Sequence, residues 1–145
     1  MSKFIRQIEV RWADLDPNFH MLHSKYYDLG AYVRMCLFHE FGITANAIQE
    51  LKVGPILLRE ECVFRKEINF GDKVIVDAEL VKMKKDGSRW SIQHRIMKND
   101  DKLSATISVD GAWMSLETRK LATPPQSFVD VLLKFPRPSE FIFCE

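Results

Sequence analysis

Apolar and polar residues alternate over residues 4–12, with apolar side chains mostly on every second position. That period predicts a first β-strand with one buried face. Pro17 follows within a polar stretch; proline cannot donate to a strand ladder and disfavours the helical conformation in the residue before it. Residues 14–18 are therefore predicted to leave the sheet as an irregular loop.

The apolar spacing then changes to three and four residues, which predicts a long helix over residues 24–41. Ser24 is expected to cap its N-terminus, and Gly42 to end it in the left-handed conformation. Only a narrow polar strip interrupts the apolar surface of this helix, so we expect a curved sheet to bury most of its circumference. A short helix over residues 44–52, capped by Thr44, is expected next.

Four β-rich segments follow, and Asp86-Gly87 is the strongest hairpin signal between them. They cover residues 56–67, 73–80, 90–96 and 103–113. Long strands in succession predict an antiparallel meander. Pro124 stops the sheet, the apolar positions of residues 128–135 predict a short C-terminal helix, and the apolar residues 141–143 need a surface to cover them.

These elements predict an α+β fold in which one long helix is wrapped by a five-stranded antiparallel sheet, with a short C-terminal helix. At 145 residues, of which 46% are hydrophobic and 28% charged, residues 1–145 are expected to form a single domain. A single-layer sheet leaves its edge strands without partners, so pairing with a second copy is expected.

Charge and cysteine content narrow the possible partners. Lys and Arg total 21 against 20 Asp and Glu, so the chain has no overall field for a nucleic acid backbone or a membrane surface. Three widely spaced cysteines favour a reduced, cytoplasmic compartment. The sequence shows neither an apolar leader nor a run of about 18 apolar residues, so export and membrane insertion are not expected.

Polar side chains crowd the loop before the long helix, where two aspartates, two histidines and a serine lie within residues 14–24. Unpaired N–H groups at a helix N-terminus polarise a carbonyl oxygen and stabilise the negative charge that develops on it. A carboxylate beside them can attack the carbonyl carbon or activate a water. This pairing suits acyl transfer.

The loop resembles the start of hotdog-fold acyl-CoA thioesterases of the 4-hydroxybenzoyl-CoA thioesterase type, whose pattern reads aromatic-x-Asp-x-Asp-x-x-Gly-His-Val-Asn-Asn-x-x-Tyr. The aromatic, Asp, Asp, His and Tyr positions are filled without a gap by Trp12, Asp14, Asp16, His20 and Tyr26. Residues 70–72 match the family's x-Gly-Asp turn, and the order of elements is similar over nearly the whole chain.

The resemblance implies a hotdog fold whose copies pair edge to edge, as a homodimer or a tetramer of dimers, with the active site at the subunit interface. It implies that Asp16 is the catalytic nucleophile or general base, and that a backbone N–H near His23 or Ser24 holds the thioester oxygen. We then expect Phe19, His20 and Tyr26 to contact the substrate. No cofactor and no metal are expected.

The chain departs from the family pattern at four positions. The family glycine is Phe19, and the family Val-Asn-Asn is Met21-Leu22-His23. A glycine in a tight loop often supplies a backbone conformation that other residues resist. Either the pocket is reshaped, with bulky side chains lining an acyl channel, or the site has lost its reaction.

Several loop residues have structural alternatives. Asp16 could cap a local N–H ahead of Pro17, and for Asp14 a hydrogen-bonding role that shapes the loop is favoured. His20 is favoured as a loop-packing residue over a proton shuttle. Asp16, His20 and His23 could also form a metal cluster, but their place on a loop rather than on one helical face argues against it.

Basic residues are needed near the pocket because CoA carries phosphates. Lys84, Lys85 and Arg89 flank the predicted hairpin and are candidates, with an ordinary solvated hairpin tip as the alternative. Arg65 and Lys66, at the end of a strand, are equal candidates.

Glu60 and Glu61 lie on the strand after the helix, where some thioesterases of this fold place their catalytic acid. Because side chains alternate along a strand, one of the pair must face inward. They form the second-choice catalytic site, although a structural role is favoured.

The leading hypothesis is hydrolysis of an acyl-CoA thioester to a carboxylic acid and CoA. The alternative is a non-catalytic hotdog protein that binds acyl-CoA or an acyl-carrier protein. A third hypothesis, a dehydratase acting on a hydroxyacyl thioester, requires His20, His23 or His94. The sequence lacks the Gly-x-Ser-x-Gly and phosphate-loop motifs, so serine hydrolase and nucleotide triphosphatase activities have no support.

Overall fold

A computed structural model describes residues 3–145, so the first two residues of the predicted domain lie outside the described part. The elements in chain order are β1 (Phe4–Ile8), a 3-10 turn (Trp12–Asp14), α1 (His23–Phe41), α2 (Ala45–Leu51), β2 (Val53–Phe64), β3 (Val74–Lys84), β4 (Trp90–Lys98), β5 (Lys102–Ser115), α3 (Gln126–Leu132) and β6 (Ile142–Cys144). The α+β class, the long helix and both short helices are confirmed. Thr44 caps α2 as predicted, since its hydroxyl accepts from the Ala47 N–H at 3.1 Å.

The long helix ends as predicted but begins differently. Gly42 adopts φ 118° and its N–H donates to carbonyls of the last turn of α1. The N-cap is Leu22, without any side-chain cap, so the prediction of Ser24 as cap is wrong. The Leu22 N–H donates to the Asp14 carbonyl at 2.9 Å. This hydrogen bond holds Leu22 in place, so the helix begins directly after it and Ser24 lies inside the first turn.

The main sheet runs in the order β1-β3-β4-β5-β2, with every neighbouring pair antiparallel. Strands β3, β4 and β5 form a meander, but the predicted four-strand meander is wrong because β2 does not pair with β3. β1 already occupies that edge of β3, from Phe4 opposite Ala78. β2 pairs with β5 instead, from Val53 opposite Ser115 to Phe64 opposite Ala105.

The sheet has six strands rather than the five predicted. The C-terminal tail forms β6, which pairs in parallel with residues 82–84 of β3. β1 covers only the first half of that edge, so its second half is free to take the tail. The pairing engages the backbone of the tail, but Ile142 is 56% and Phe143 45% exposed, so within one chain the apolar side chains lack the covering surface that they were expected to need.

The core lies between α1 and one face of the sheet. Val33 and Leu37 are fully buried in it, together with inward residues of the strands such as Ile92 and Ile107. The other side of α1 is open, since Tyr32 is 54% and Met35 is 71% exposed. The prediction that most of the helix circumference is buried is therefore wrong within one chain, because a single sheet covers only one side of a helix.

No helix within residues 3–145 is long and apolar enough to cross a membrane. The three cysteines are free thiols.

Candidate active site

The loop before α1 is a tight hairpin. Leu15 and Met21 form an antiparallel bridge, and the Asp16 N–H donates to the His20 carbonyl at 2.8 Å. The turn is closed by the Phe19 N–H, which donates to the Asp16 carbonyl at 2.9 Å. Hairpins of this length place a left-handed residue, usually glycine, at the end of the turn.

Phe19 occupies that left-handed position with φ 65°. This backbone conformation costs roughly 1–2 kcal/mol for a residue other than glycine. The backbone thus follows the path that a glycine would give. The departure from the family pattern changes the side chain at this position and leaves the left-handed backbone in place.

Asp14 shapes the loop, as predicted. Its buried carboxylate accepts from the Arg11 guanidinium at 2.9 Å and from the Arg11 backbone N–H at 3.0 Å. The hydrogen bond from the Arg11 side chain lowers the pKa of Asp14 below its ordinary value. Since the Asp14 carbonyl also holds Leu22, this residue ties the loop to the start of α1.

Asp16 lies beside the start of α1 and is half-buried. Its Oδ1 accepts from the backbone N–H groups of Asn18, at 2.8 Å, and His20, at 3.2 Å. The local capping role foreseen for Asp16 is therefore present. Among residues 3–145, no group donates a hydrogen bond to its Oδ2, so one oxygen is held in orientation while the other is available to a ligand.

The first turn of α1 presents free backbone donors. The N–H groups of Leu22 and Lys25 are used, the first by Asp14 and the second by the Leu22 carbonyl at 3.0 Å. Within the described chain, those of His23 and Ser24 have no acceptor, and both residues are exposed. Two donors at the positive end of a helix can therefore receive a carbonyl oxygen.

A cleft of about 370 Å³ joins these features. It is lined by Asp16, Met21, His23, Tyr26, Phe64, Arg65, Lys66 and Glu67. Tyr26 packs edge-on against Phe64 with ring centroids 5.0 Å apart, and burial raises the pKa of its hydroxyl. The structure thus brings together Asp16, the helix start and Tyr26.

Two other predicted contacts lie beside this cleft. His20 points to Glu67, with its Nε2 3.9 Å from a carboxylate oxygen. Phe19 packs against the exposed Trp12, with ring centroids 6.0 Å apart, and lines a neighbouring cleft that also includes Asp16.

Basic side chains adjoin the Asp16 cleft on one side. Arg65 and Lys66 line it, and with Lys98 and Lys102 they also line a second cleft of about 300 Å³. Lys98 makes an intramolecular hydrogen bond, since its Nζ donates to the Glu67 carbonyl at 2.5 Å. The other three are exposed at the rim.

The hairpin candidates are at the opposite end of β3. Lys84 and Arg89 line a separate cleft with the C-terminal residues, and Lys85 is exposed in the turn. β3 runs for 11 residues, which is about 33 Å from the end near Asp72 to the hairpin. Within one chain, these three residues are not brought to Asp16.

Strand alternation gives Glu60 and Glu61 different environments, as predicted. Glu60 is half-buried and faces Arg34 of α1, with 4.0 Å between its Oε2 and Arg34 Nη2. Glu61 is exposed and pairs with Arg59 at 2.9 Å. Neither residue lines the Asp16 cleft.

The sequence analysis did not predict a buried polar pair, Arg34 and His94. Arg34 and His94 meet in the core, with Arg34 Nη1 3.0 Å from His94 Nε2 and His94 Nδ1 2.8 Å from the Asp77 carbonyl oxygen. Since arginine only donates and a carbonyl only accepts, the imidazole carries its proton on Nδ1. Burial, with the Arg34 charge as the next cause, lowers the pKa of His94 to about 4.

The environment of His94 removes one of the three histidines on which the dehydratase hypothesis depends. Its ring is completely buried and both nitrogens are occupied by protein groups. Each residue carries its own signal of burial, because Arg34 falls on the apolar spacing of α1 and His94 on the apolar alternation of β4. Among residues 3–145, no three His, Cys, Asp or Glu side chains are grouped so as to hold a metal ion.

The family model that describes the thioesterase-like superfamily matches residues 10–132 of this chain. No curated protein is significantly similar to it in sequence.

Solved structures share the fold at low sequence identity. A hypothetical protein of Staphylococcus aureus in complex with CoA is 20% identical, with a TM-score of 0.88 over 95% of this chain and 87% of that one. A 1,4-dihydroxy-2-naphthoyl-CoA thioesterase from Synechocystis is 16% identical, with a TM-score of 0.80 over 94% of this chain and 100% of its own. A thioesterase from Thermus thermophilus, complexed with coenzyme A and Zn, is 19% identical, with a TM-score of 0.75 over 88% and 90% of the two chains.

Proposed function

The chain belongs to the thioesterase-like superfamily, and on that basis we propose that it hydrolyses an acyl-CoA thioester to a free carboxylic acid and CoA. The observation that carries the proposal is the cleft shared by Asp16 and His23, the first residue of α1. A carboxylate can serve as nucleophile or base, and the donors of a helix N-terminus can stabilise the oxyanion, so the two together are suited to acyl transfer to water.

The roles follow from the chemistry of each group. The N–H groups of His23 and Ser24 receive the thioester oxygen and stabilise the charge that forms on it. Asp16 either attacks the carbonyl carbon through Oδ2 or removes a proton from the water that does so.

If Asp16 acts as the base, water adds to the carbon, the carbon–sulfur bond breaks, and the proton taken from the water passes to the sulfur, so that CoA leaves as the thiol and the acyl group as the acid. If Asp16 attacks, the carbon–sulfur bond breaks to give an anhydride between Asp16 and the acyl group, together with CoA thiolate. A water then cleaves the anhydride, which releases the acid, regenerates the carboxylate and supplies the proton that the thiolate takes up.

Basic residues at the rim suit the phosphates of CoA. Arg65 and Lys66 line the Asp16 cleft, and Lys102 is the third exposed cation of the adjoining cleft. Two of the similar solved structures contain CoA, which supports binding of this ligand here. We favour this cluster over Lys84, Lys85 and Arg89, because the hairpin lies at the far end of β3.

A binding protein without catalysis is less well supported than an enzyme. That alternative depended on the replacement of the family glycine by Phe19 and of the family Asn-Asn by Leu22-His23. The first replacement leaves the backbone unchanged, because Phe19 adopts the left-handed conformation itself. The orientation of the Asp16 carboxylate is also fixed, by two backbone donors. Both observations favour a loop that still presents a carboxylate to a ligand.

The test is release of free thiol from a panel of acyl-CoA thioesters that differ in chain length and in aromatic character. We expect turnover of at least one thioester, and Asp16→Asn should lower kcat by about 100-fold or more, because an amide can neither attack nor remove a proton. Asp130→Asn is the matched control: Asp130 is an exposed residue on α3 whose side chain accepts from Gln126.

Equal turnover by Asp16→Asn and the wild-type protein would reject Asp16 as the catalytic carboxylate. Saturable binding of acyl-CoA, with no thiol released across the panel, would instead establish the non-catalytic alternative.

A further inference from the structure

A cleft of about 280 Å³, which we call the aromatic cleft, adjoins the Asp16 cleft. It is lined by Trp12, Leu15, Asp16, Pro17 and Phe19. Among the described residues, Asp16 is the one that lines both clefts. A carbonyl carbon held at Asp16 can therefore carry one substituent into each cleft.

Two aromatic side chains of this cleft are largely exposed. Trp12 is 74% and Phe19 58% exposed, and their ring centroids lie 6.0 Å apart with 55° between the ring planes. The other two tryptophans, Trp90 and Trp113, are 2% exposed or less. Within one chain the exposed pair gains little from burial, so most of its apolar surface remains available to a ligand.

The backbone of Phe19 provides a second observation that favours a ligand. Its φ of 65° is unfavourable for a residue other than glycine, and glycine is the residue in the family pattern. Phe19 lies outside the buried core, so packing within the described chain does not offset this cost. Strained residues cluster at active sites and ligand clamps. A role in binding therefore explains the aromatic ring at position 19 better than a role in folding.

The charges of the two clefts decide which part of the thioester each one takes. Arg65 and Lys66 line the Asp16 cleft, where they suit the phosphates of CoA. Asp16 is the single charged residue among the five that line the aromatic cleft, so a phosphate would be repelled there. The CoA moiety is therefore assigned to the Asp16 cleft, and the acyl group to the aromatic cleft.

The side chains of the aromatic cleft favour a flat acyl group. Aromatic rings gain from offset or edge-to-face contacts with one another, beyond the area that they bury. A saturated ring of the same size buries a similar area but makes no such contact. Trp12 and Phe19, tilted relative to each other, can both contact one planar group.

We propose that the acyl group binds in the aromatic cleft, and that Trp12 and Phe19 select thioesters whose carbonyl carbon carries a planar aromatic ring. The inference rests on the proposed thioesterase function and names its substrate class. Trp12 and Phe19 are then specificity-determining residues, while Asp16 and the start of α1 carry out the reaction.

The first experiment compares two CoA thioethers that cannot be hydrolysed, S-benzyl-CoA and S-cyclohexylmethyl-CoA. They have the same number of carbon atoms, but only the first has a planar ring. Isothermal titration calorimetry gives the ratio of their dissociation constants. We expect S-benzyl-CoA to bind at least about 5-fold more tightly, since each aromatic pair contributes beyond its buried area.

Phe19→Gly should lower that ratio by about 2-fold or more, and the double variant Phe19→Gly/Trp12→Leu should bring it close to one. Glycine accepts the left-handed conformation, so the loop keeps its path in Phe19→Gly. Phe143→Gly is the matched control, because Phe143 is 45% exposed and lies on β6, which pairs with the hairpin end of β3. It should leave the ratio unchanged.

Trp12 also reports occupancy of the aromatic cleft directly. Because Trp90 and Trp113 are buried, acrylamide should quench the fluorescence of Trp12 in preference to theirs. Saturating S-benzyl-CoA should reduce the accessible fraction of the fluorescence, whereas CoA without an acyl group should leave it unchanged. Loss of the accessible fraction in Trp12→Leu would assign the signal to this residue.

A ratio near one in the wild-type protein, or an unchanged ratio in the double variant, would overturn the inference. Equal shielding of Trp12 by CoA alone would also overturn it, because the cleft would then hold the CoA moiety. If Trp12 is already shielded from acrylamide without a ligand, a second copy of the chain covers the pair and the inference is likewise overturned.

Failure of the proposed function gives a different result. A protein that releases no thiol from any thioester but still prefers S-benzyl-CoA would refute hydrolysis and leave the assignment of the aromatic cleft standing. An active thioesterase with a ratio near one would refute the aromatic cleft alone.

Discussion

At the scale of single residues, the ionisable pair in the core makes stability depend on pH. His94 has a pKa of about 4 in the folded protein against 6.5 ordinarily, so the unfolded chain takes up a proton first as the pH falls. Its contribution to stability is complete above about pH 6.5 and is lost as the pH falls toward about 4. Acidification through this window therefore destabilises the fold.

We predict that lowering the pH from about 7.5 to about 5 reduces the free energy of unfolding by about 2 kcal/mol through His94 alone. Urea unfolding at the two pH values, on the wild-type protein and on His94→Gln, measures it. The variant should lose about 2 kcal/mol less than the wild type over the same interval. An identical loss in both proteins would show that His94 does not titrate in this way.

The sequence predicted residue roles best where they depend on neighbours along the chain. The side-chain hydrogen bonds of Asp14 and of Asp16 join residues at most four positions apart. The special conformation at position 19 was also foreseeable, although a glycine was expected to be needed for it. Arg34 and His94 are 60 positions apart, and no local pattern shows that two polar residues on separate apolar faces will meet.

At the scale of elements, the placement of the two basic groups distinguishes them. The cluster at the end of β2 adjoins the Asp16 cleft, whereas the hairpin after β3 lies at the other end of the sheet. Both were equally good candidates in the sequence, because each is a cluster of cations beside a strand. The two groups can be told apart only from the three-dimensional paths of β2 and β3, which place them at different ends of the sheet.

We predict that the double variant Arg65→Ala/Lys66→Ala raises KM for acyl-CoA by about 5- to 10-fold with little change in kcat, since it removes contacts to phosphate and leaves the reacting groups in place. The same acyl group on pantetheine, which lacks the nucleotide phosphates, should show no such increase. Arg119→Ala/Lys120→Ala, an exposed Arg-Lys pair on another turn, is the matched control. A rise in KM for Lys84→Ala/Lys85→Ala alone would assign the phosphates to the hairpin instead.

The elements themselves were largely predictable, but their partners were not. Period and turn residues located the helices and the five longer strands to within a few residues. No local signal in the sequence shows that β2 pairs with β5 instead of β3. The edge of β3 is taken by β1, which lies more than 60 residues away along the chain. The three-residue β6 is too short for its period to be read, and it forms only because half of an edge is left open.

At the scale of the whole molecule, β2 leaves one edge of the sheet open. It pairs with β5 on one side, and within residues 3–145 no strand pairs with its other side. Four large apolar side chains on this strand are at least 41% exposed, namely Leu57, Leu58, Val63 and Phe64. A long apolar edge of this kind is a template for another strand.

We propose that a second copy of the chain covers this edge, as the family resemblance implied. The two β2 strands would then continue one sheet across both subunits. A homodimer is the smallest assembly in which the β2 edge of each subunit has a partner strand. Phe64 lines the Asp16 cleft and lies on the same strand, so the partner would approach the site directly. Assembly and activity are expected to be linked for this reason.

We predict that the wild-type protein is at least a dimer by light scattering, and that Leu58→Asp shifts it toward the 16.9 kDa monomer with a parallel loss of thioesterase activity. A carboxylate in the pairing strand must be desolvated when the second copy binds, which should weaken association by about 10-fold or more. Leu121→Asp is the matched control, since Leu121 is 55% exposed against 52% for Leu58 and lies outside β2. A wild-type monomer, or equal dissociation by both variants, would contradict pairing through β2, whereas a Leu58→Asp monomer that retains full activity would show that one chain holds a complete site.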